Sequence, residues 1–148
     1  MKKLEFKINI AGPKQKVWET MLNPVTYKEW VAASWPGSYY EGTWKQGENI
    51  KFLSPGHGGT MATLAEYRPY DYVLARHIAV LNADETEDRD SDIAKGWIGI
   101  TESYIFTEQN GVTTLTVQIN TNPEWEKMFS DGWPAALAKL KEICERGN

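Results

Sequence analysis

Apolar and polar residues alternate strictly over residues 4–10, with Leu4, Phe6, Ile8 and Ile10 set against Glu5, Lys7 and Asn9. A period of two puts one set on each face of a half-buried strand. The period then changes. After Gly12-Pro13, the residues Val17, Trp18, Met21 and Leu22 recur at helical spacing. Pro13 falls in a first-turn position, where its missing N–H costs nothing. Asn23 reads as an N-cap and Pro24 as the first residue of a second helix, whose one face carries Tyr27, Trp30 and Val31.

Short segments rich in turns follow. Residues 39–44, 48–53, 60–67 and 72–81 read as strands, and residues 82–92 as a polar, acidic loop. Residues 97–108 and 112–120 are the last two strands, joined through Asn110-Gly111, a strong hairpin signal. A two-residue turn there pairs Phe106 with Leu115, Tyr104 with Val117 and Glu102 with Ile119. Apolar side chains then share one face, whereas a three-residue loop scrambles both faces, so the first register is expected. It leaves Glu102 on the apolar face. Beyond Asn122-Pro123 the pattern is helical again. Trp125, Met128 and Phe129 make one stripe; Trp133, Leu137, Leu140 and Cys144 make another. Pro134 fits a first turn better than a helix interior, which predicts a break or kink near residues 130–132 and a main helix reaching about residue 146.

The order is one strand, two helices, six strands and a long helix. It predicts an α+β domain over residues 1–148: a curved antiparallel seven-stranded sheet whose apolar face is covered by the last helix. The two short helices can close one open end of that sheet.

Composition sharpens this picture in one respect. The chain has seven Trp and seven Tyr but only four Phe. Trp and Tyr carry a polar tip on an apolar body and suit pocket walls as well as cores. Net charge is −4, and no Lys/Arg cluster is interleaved with aromatics, which argues against nucleic acid as a partner. The N-terminal ten residues are interrupted by Glu5 and Lys7, so they form neither a signal peptide nor a membrane span. Cys144 is the only cysteine, so no internal disulfide forms, and a cytoplasmic location is the default expectation.

The stretches GPKQKVWETMLNPVTYKEW, GTWKQGENIKF, GGTMATLAEYRPYDYVLARH, ESYIFTEQNGVTTLTVQI and WPAALAKLKEI together cover nearly the whole chain. In this order they resemble the START-like (SRPBCC, helix-grip) superfamily, and within it the branch named for the activator of heat-shock protein 90 ATPase. None of them is a catalytic signature. The resemblance implies a sheet gripping the last helix, with a cavity between them that in many relatives holds a hydrophobic ligand. It also implies two alternatives. One is a chaperone-accessory role, although the eukaryotic co-chaperone carries an additional N-terminal domain with no counterpart in these residues. The other is catalysis, since some helix-grip relatives cyclise or dehydrate bound hydrophobic substrates.

The candidate chemistry is sparse. A carboxylate on an apolar face costs several kcal/mol unless paired, hydrogen-bonded or protonated. Glu102 is therefore either a polar anchor or general base inside the cavity, or a sheet-end residue that reaches water or pairs with a helix. His77 alternates with Val73, Ala75, Ala79 and Leu81, the small-residue face expected to meet the cavity. It is either a partner for a ligand or for Glu102, or a satisfied core histidine. The acidic run 84–92 fails as an EF-hand: starting at Asp88, it puts Ile93 where Gly is needed and Gly99 where a bidentate Glu is needed. Residues 54–59 are glycine-rich without a P-loop's Lys-Ser/Thr ending, and His57 reads as an exposed turn residue. His57, His77 and Cys144 are too few and too scattered for zinc, and Ser-His-Asp catalysis finds no GxSxG. Cys144 reads as packing. No metal, no cofactor and no catalytic residue is expected, and an enzyme is the less favoured reading. The expected ligand-binding set is Tyr27, Trp30, Trp44, Phe52, His77, Trp97, Glu102, Tyr104, Phe129 and Trp133. Trp35 and Trp125 belong to the same aromatic group, with Trp18 anchoring the first helix below.

Overall fold

A computed structural model describes residues 1–146. Strand β1 (Lys2–Ala11) is followed by helices α1 (Lys14–Leu22) and α2 (Pro24–Val31). Strands β2 (Tyr39–Glu41), β3 (Asn49–Ser54), β4 (Gly58–Arg68), β5 (Tyr72–Leu81) and the two-residue β6 (Glu87–Asp88) come next. Helix α3 (Asp92–Trp97), strands β7 (Thr101–Gln109) and β8 (Val112–Thr121), a 3-10 turn (Pro123–Trp125) and helix α4 (Glu126–Glu145) complete the order. The main sheet runs β1-β8-β7-β5-β4-β3-β2, and β6 pairs only with β5. All pairings are antiparallel. The seven main strands curl into a half-barrel that grips α4, the helix-grip arrangement.

The sheet's inner face supplies Ile10, Leu64, Val73, Leu115, Val117 and Ile119 to the core. Helix α4 answers with Ala136, Leu137, Leu140 and Cys144, a stripe at helical spacing. Two charged clamps hold α4 in place at its C-terminal end. Glu145 accepts from the Ala11 N–H at 2.9 Å, and Arg146 forks onto Glu29 of α2 at 2.5 and 2.8 Å. The short helices join where expected: the Asn23 side chain accepts from the Val25 N–H at 2.9 Å, with Pro24 in the first turn.

The β7–β8 hairpin has the register expected from the pattern, with Phe106 opposite Leu115, Tyr104 opposite Val117 and Glu102 opposite Ile119. Asn110 and Gly111 both take positive φ, 54° and 77°, which a two-residue primed turn demands.

Four local expectations are corrected. The strand expected over residues 39–44 stops at Glu41, where Gly42 turns the chain at φ 127°. The strand expected from residue 97 begins at Thr101. The preceding acidic run is not a featureless loop, because Ser91 caps α3 by accepting from Ala94 and is itself held by Asp88. A local side-chain cap outweighs like-charge repulsion here. The expected break before Trp133 is absent, and α4 runs unbroken through Pro134. The carbonyl that loses its helical donor belongs to Ser130, an exposed residue that water can reach.

The fourth correction concerns β5. Ala62 pairs with His77 but Met61 pairs with Ala79, so Ile78 is an extra residue, a bulge. Met61 and Ala62 are consecutive and face opposite sides, so Ala79 parts company with His77. Ala79 and Leu81 pack instead with Leu53 and Met61 in a separate small cluster.

Candidate functional site

Sheet and α4 do not close on each other everywhere. Between them lies a cavity of about 230 Å³, bounded by α2, the chain after it, strands β3, β4, β5 and β7, the end of α3, and the first two turns of α4. Nine of the ten residues expected to form the site line it: Tyr27, Trp30, Phe52, His77, Trp97, Glu102, Tyr104, Phe129 and Trp133. Trp44 does not. It backs the wall, 5.5 Å from Tyr40 and 6.3 Å from Phe52.

The rings form a continuous chain of contacts. From Trp133 the contacts run to Trp30 (5.9 Å), Tyr27 (5.1 Å), Tyr40 (4.9 Å), Trp44 and Phe52, then to His77 (6.0 Å), Trp97 (5.4 Å) and Phe129 (5.8 Å). Phe129 and Trp133 sit one turn apart on α4. Trp30 is fixed by its Nε1 donating to the Met21 carbonyl at 3.0 Å, and the Tyr40 hydroxyl donates to the Leu22 carbonyl. Both bonds tie the belt to the end of α1. Trp18 lies apart, packed on Tyr67, Tyr70 and Phe106, and anchors α1.

Trp35, expected in the same aromatic group, also lines the cavity, as do Ser38, Gly59, Thr60 and Met128, which composition did not mark. Trp35 follows α2 in a stretch without periodicity. Its seat depends on Gly132, where a Cβ would stand 2.4 Å from the Trp35 ring. Gly132→Ala gains helix propensity of about 1 kcal/mol but forces the indole out of place, a strain of about 1–3 kcal/mol. A net loss of stability with a shifted Trp emission maximum is the expected result; an unchanged spectrum would show that Trp35 is not seated on this glycine.

The wall is mostly apolar, and its ionisable pair is His77 and Glu102. His77 Nε2 and Glu102 Oε2 are 2.6 Å apart, with residue exposures of 2% and 8%. The two residues stand on adjacent strands. Ala75 is opposite Glu102, and the His77 N–H donates to the Ile100 carbonyl at 2.9 Å just before β7. His77 Nδ1 is sealed and has no partner among the described residues, as is also true of the Trp97 and Trp133 N–H groups. Glu102 Oε1 is different. No described residue donates to it, and it is not sealed. The Tyr27 and Tyr104 hydroxyls likewise have no hydrogen-bond partner among the described residues.

Burial first, and then the Glu102 charge, raise the pKa of both Tyr27 and Tyr104 above the ordinary value near 10. These phenols are therefore neutral donors and acceptors. The sign for stability follows. A folded pKa above the unfolded one favours folding fully below about pH 10, and the contribution is lost as pH climbs toward the folded value. Thermal melts should fall steeply above about pH 10, and phenolate absorbance from the buried pair should appear only with unfolding. Full phenolate absorbance from every tyrosine in the folded protein would contradict this burial.

Among the described residues there is no cluster of three or more His, Cys, Asp or Glu that could hold a metal ion. No helix among them is long and apolar enough to cross a membrane.

The family model described as "Activator of Hsp90 ATPase homolog 1-like protein" matches residues 11–145. The chain belongs to that family. Members of this activator-like family, within the START-like superfamily, typically have a ligand-binding cavity at this position, which agrees with the space found between sheet and α4. Solved structures agree in fold. A protein of Mesorhizobium loti superposes with TM-score 0.76 at 13% identity, covering 99% of each chain. The Aha1 dimer of Colwellia psychrerythraea gives 0.72 at 18% identity, covering 100% of this chain and 99% of that one. A protein of Nitrosomonas europaea gives 0.74 at 18% identity, covering 99% and 96%. A comparison with curated proteins gives no match.

Proposed function

We propose that this activator-like chain binds a small, mostly apolar molecule inside the ring-lined cavity. The observation that carries the reading is the set of rings, Tyr27, Trp30, Phe52, Trp97, Phe129 and Trp133 among them, that line a space of about 230 Å³. An engineered apolar cavity of about 150 Å³ takes up benzene, so this one suits a single ring with a short substituent or a small fused pair. Apolar walls with a few convergent polar groups are the usual form of such sites. The test is titration of the protein with 2-naphthol, followed by Trp fluorescence. Saturable, one-site quenching is expected, because Trp30, Trp97 and Trp133 all line the space. A purely linear response would reject the reading.

Two other readings have some support. The family description favours a chaperone partner, and stimulation of a chaperone ATPase by the purified chain would establish it. The convergence of His77 and Glu102 on one cavity meets the geometric condition for acid–base chemistry on a bound substrate. The binding reading requires neither.

A further inference from the structure

We propose that the cavity selects a primary ammonium carried on a short, single-ring aromatic body. This rests on the binding reading above and names the chemical class of the guest.

The argument begins with charge. Glu102 and His77 are the only lining residues that could carry charge near neutral pH, and no Lys or Arg lines the cavity. Glu102 has one side-chain partner among the described residues, His77, at 2.6 Å. The hydrogen-bond pattern fixes where the histidine proton sits. Nδ1 is sealed against apolar rings with no acceptor, so a proton there would be buried unpaired. The tautomer that satisfies the pair has its proton on Nε2, donated to Oε2. The group that the pair turns toward the cavity is the Glu102 carboxyl. Its free oxygen, Oε1, opens into a space walled by indoles and phenyl rings.

A buried carboxylate oxygen without a donor is costly, and a guest that supplies a charge-assisted donor relieves that cost. The surrounding rings add to this, because their negative faces attract cations and repel anions. Count and type of acceptor then choose among cations. An alkylammonium has three N–H donors. Glu102 Oε1 and the Tyr27 and Tyr104 hydroxyl oxygens provide three acceptors that the protein itself leaves unused. Both phenols lie close enough to Glu102 to feel its charge. A quaternary ammonium would leave all three unused, and a carboxylate would face Glu102 directly. The remaining volume suits one ring and a two-carbon spacer.

The experiment is isothermal calorimetry at neutral pH on the wild-type chain with three probes that carry different polar groups on the same phenylethyl body: 2-phenylethylamine, 2-phenylethanol and 3-phenylpropanoate. The amine is expected to bind at least about tenfold more tightly than the alcohol, and the anion weakest of the three. In Glu102→Gln the amine and the alcohol should converge to within about twofold, with folding checked by circular dichroism. Should that variant fail to fold, the wild-type ranking decides alone. Equal or tighter binding of the alcohol, or tightest binding of the anion, overturns the ammonium proposal while saturable 2-naphthol quenching keeps the binding reading intact. No saturable binding by any probe, 2-naphthol included, overturns both.

Discussion

Replacing Trp133 by alanine is expected to cost about 3–5 kcal/mol of unfolding free energy. The indole is 3% exposed and touches Trp30, Trp35 and Tyr104, rings contributed by α2, the chain after it, and β7. It is therefore the point at which α4, the short helices and the sheet all meet. Part of the cost is lost transfer free energy, and part is the enlarged hole, because an existing cavity next door leaves few atoms able to collapse inward. Urea denaturation should show a lower midpoint with an unchanged slope. Trp133→Phe keeps a ring in place and should lose much less. A loss below about 1 kcal/mol for the alanine variant would mean that the belt is loosely packed decoration rather than a structural wall.

The second large effect is expected at His77. His77→Ala removes the one hydrogen-bond partner that a carboxylate 8% exposed has among the described residues, and leaving a buried carboxylate without its partner costs about 3–5 kcal/mol. Replacing both members with leucine removes the carboxylate together with its partner. The double variant should therefore be more stable than His77→Ala, although it carries more substitutions. Guanidinium denaturation of the single and double variants measures the coupling. If the double variant were the less stable of the two, the pair would be contributing through shape and packing, not through the hydrogen bond between its members.

How much of this was legible in the sequence depended on whether the signal was local. The β7–β8 hairpin was readable to the residue, because one turn dipeptide and one apolar face overdetermine its register. That register alone put Glu102 on the inner face. His77 was placed on the same side by simple alternation, but their contact was not readable, since it depends on how β5 and β7 align across the sheet. The same alternation failed two residues later. A bulge at Ile78 has no signature in the residue types of β5; it appears only in pairing with β4. Helix α3 was hidden by a charge run, although Ser91 ahead of Ala94 was a cap signal that could have found it. Trp44 was assigned to the cavity because composition counts aromatic rings without saying which ones stand in front.

The bulge at Ile78 has a practical consequence for anyone wishing to resize the guest chamber. Because the strand changes sides there, enlarging Ala75 presses on Glu102 across the β5–β7 pairing, whereas enlarging Ala79 presses on the separate cluster of Leu53, Met61 and Leu81. Two alanines of one strand thus act as separate dials, one set beside the Glu102 carboxyl and one set in the cluster around Met61.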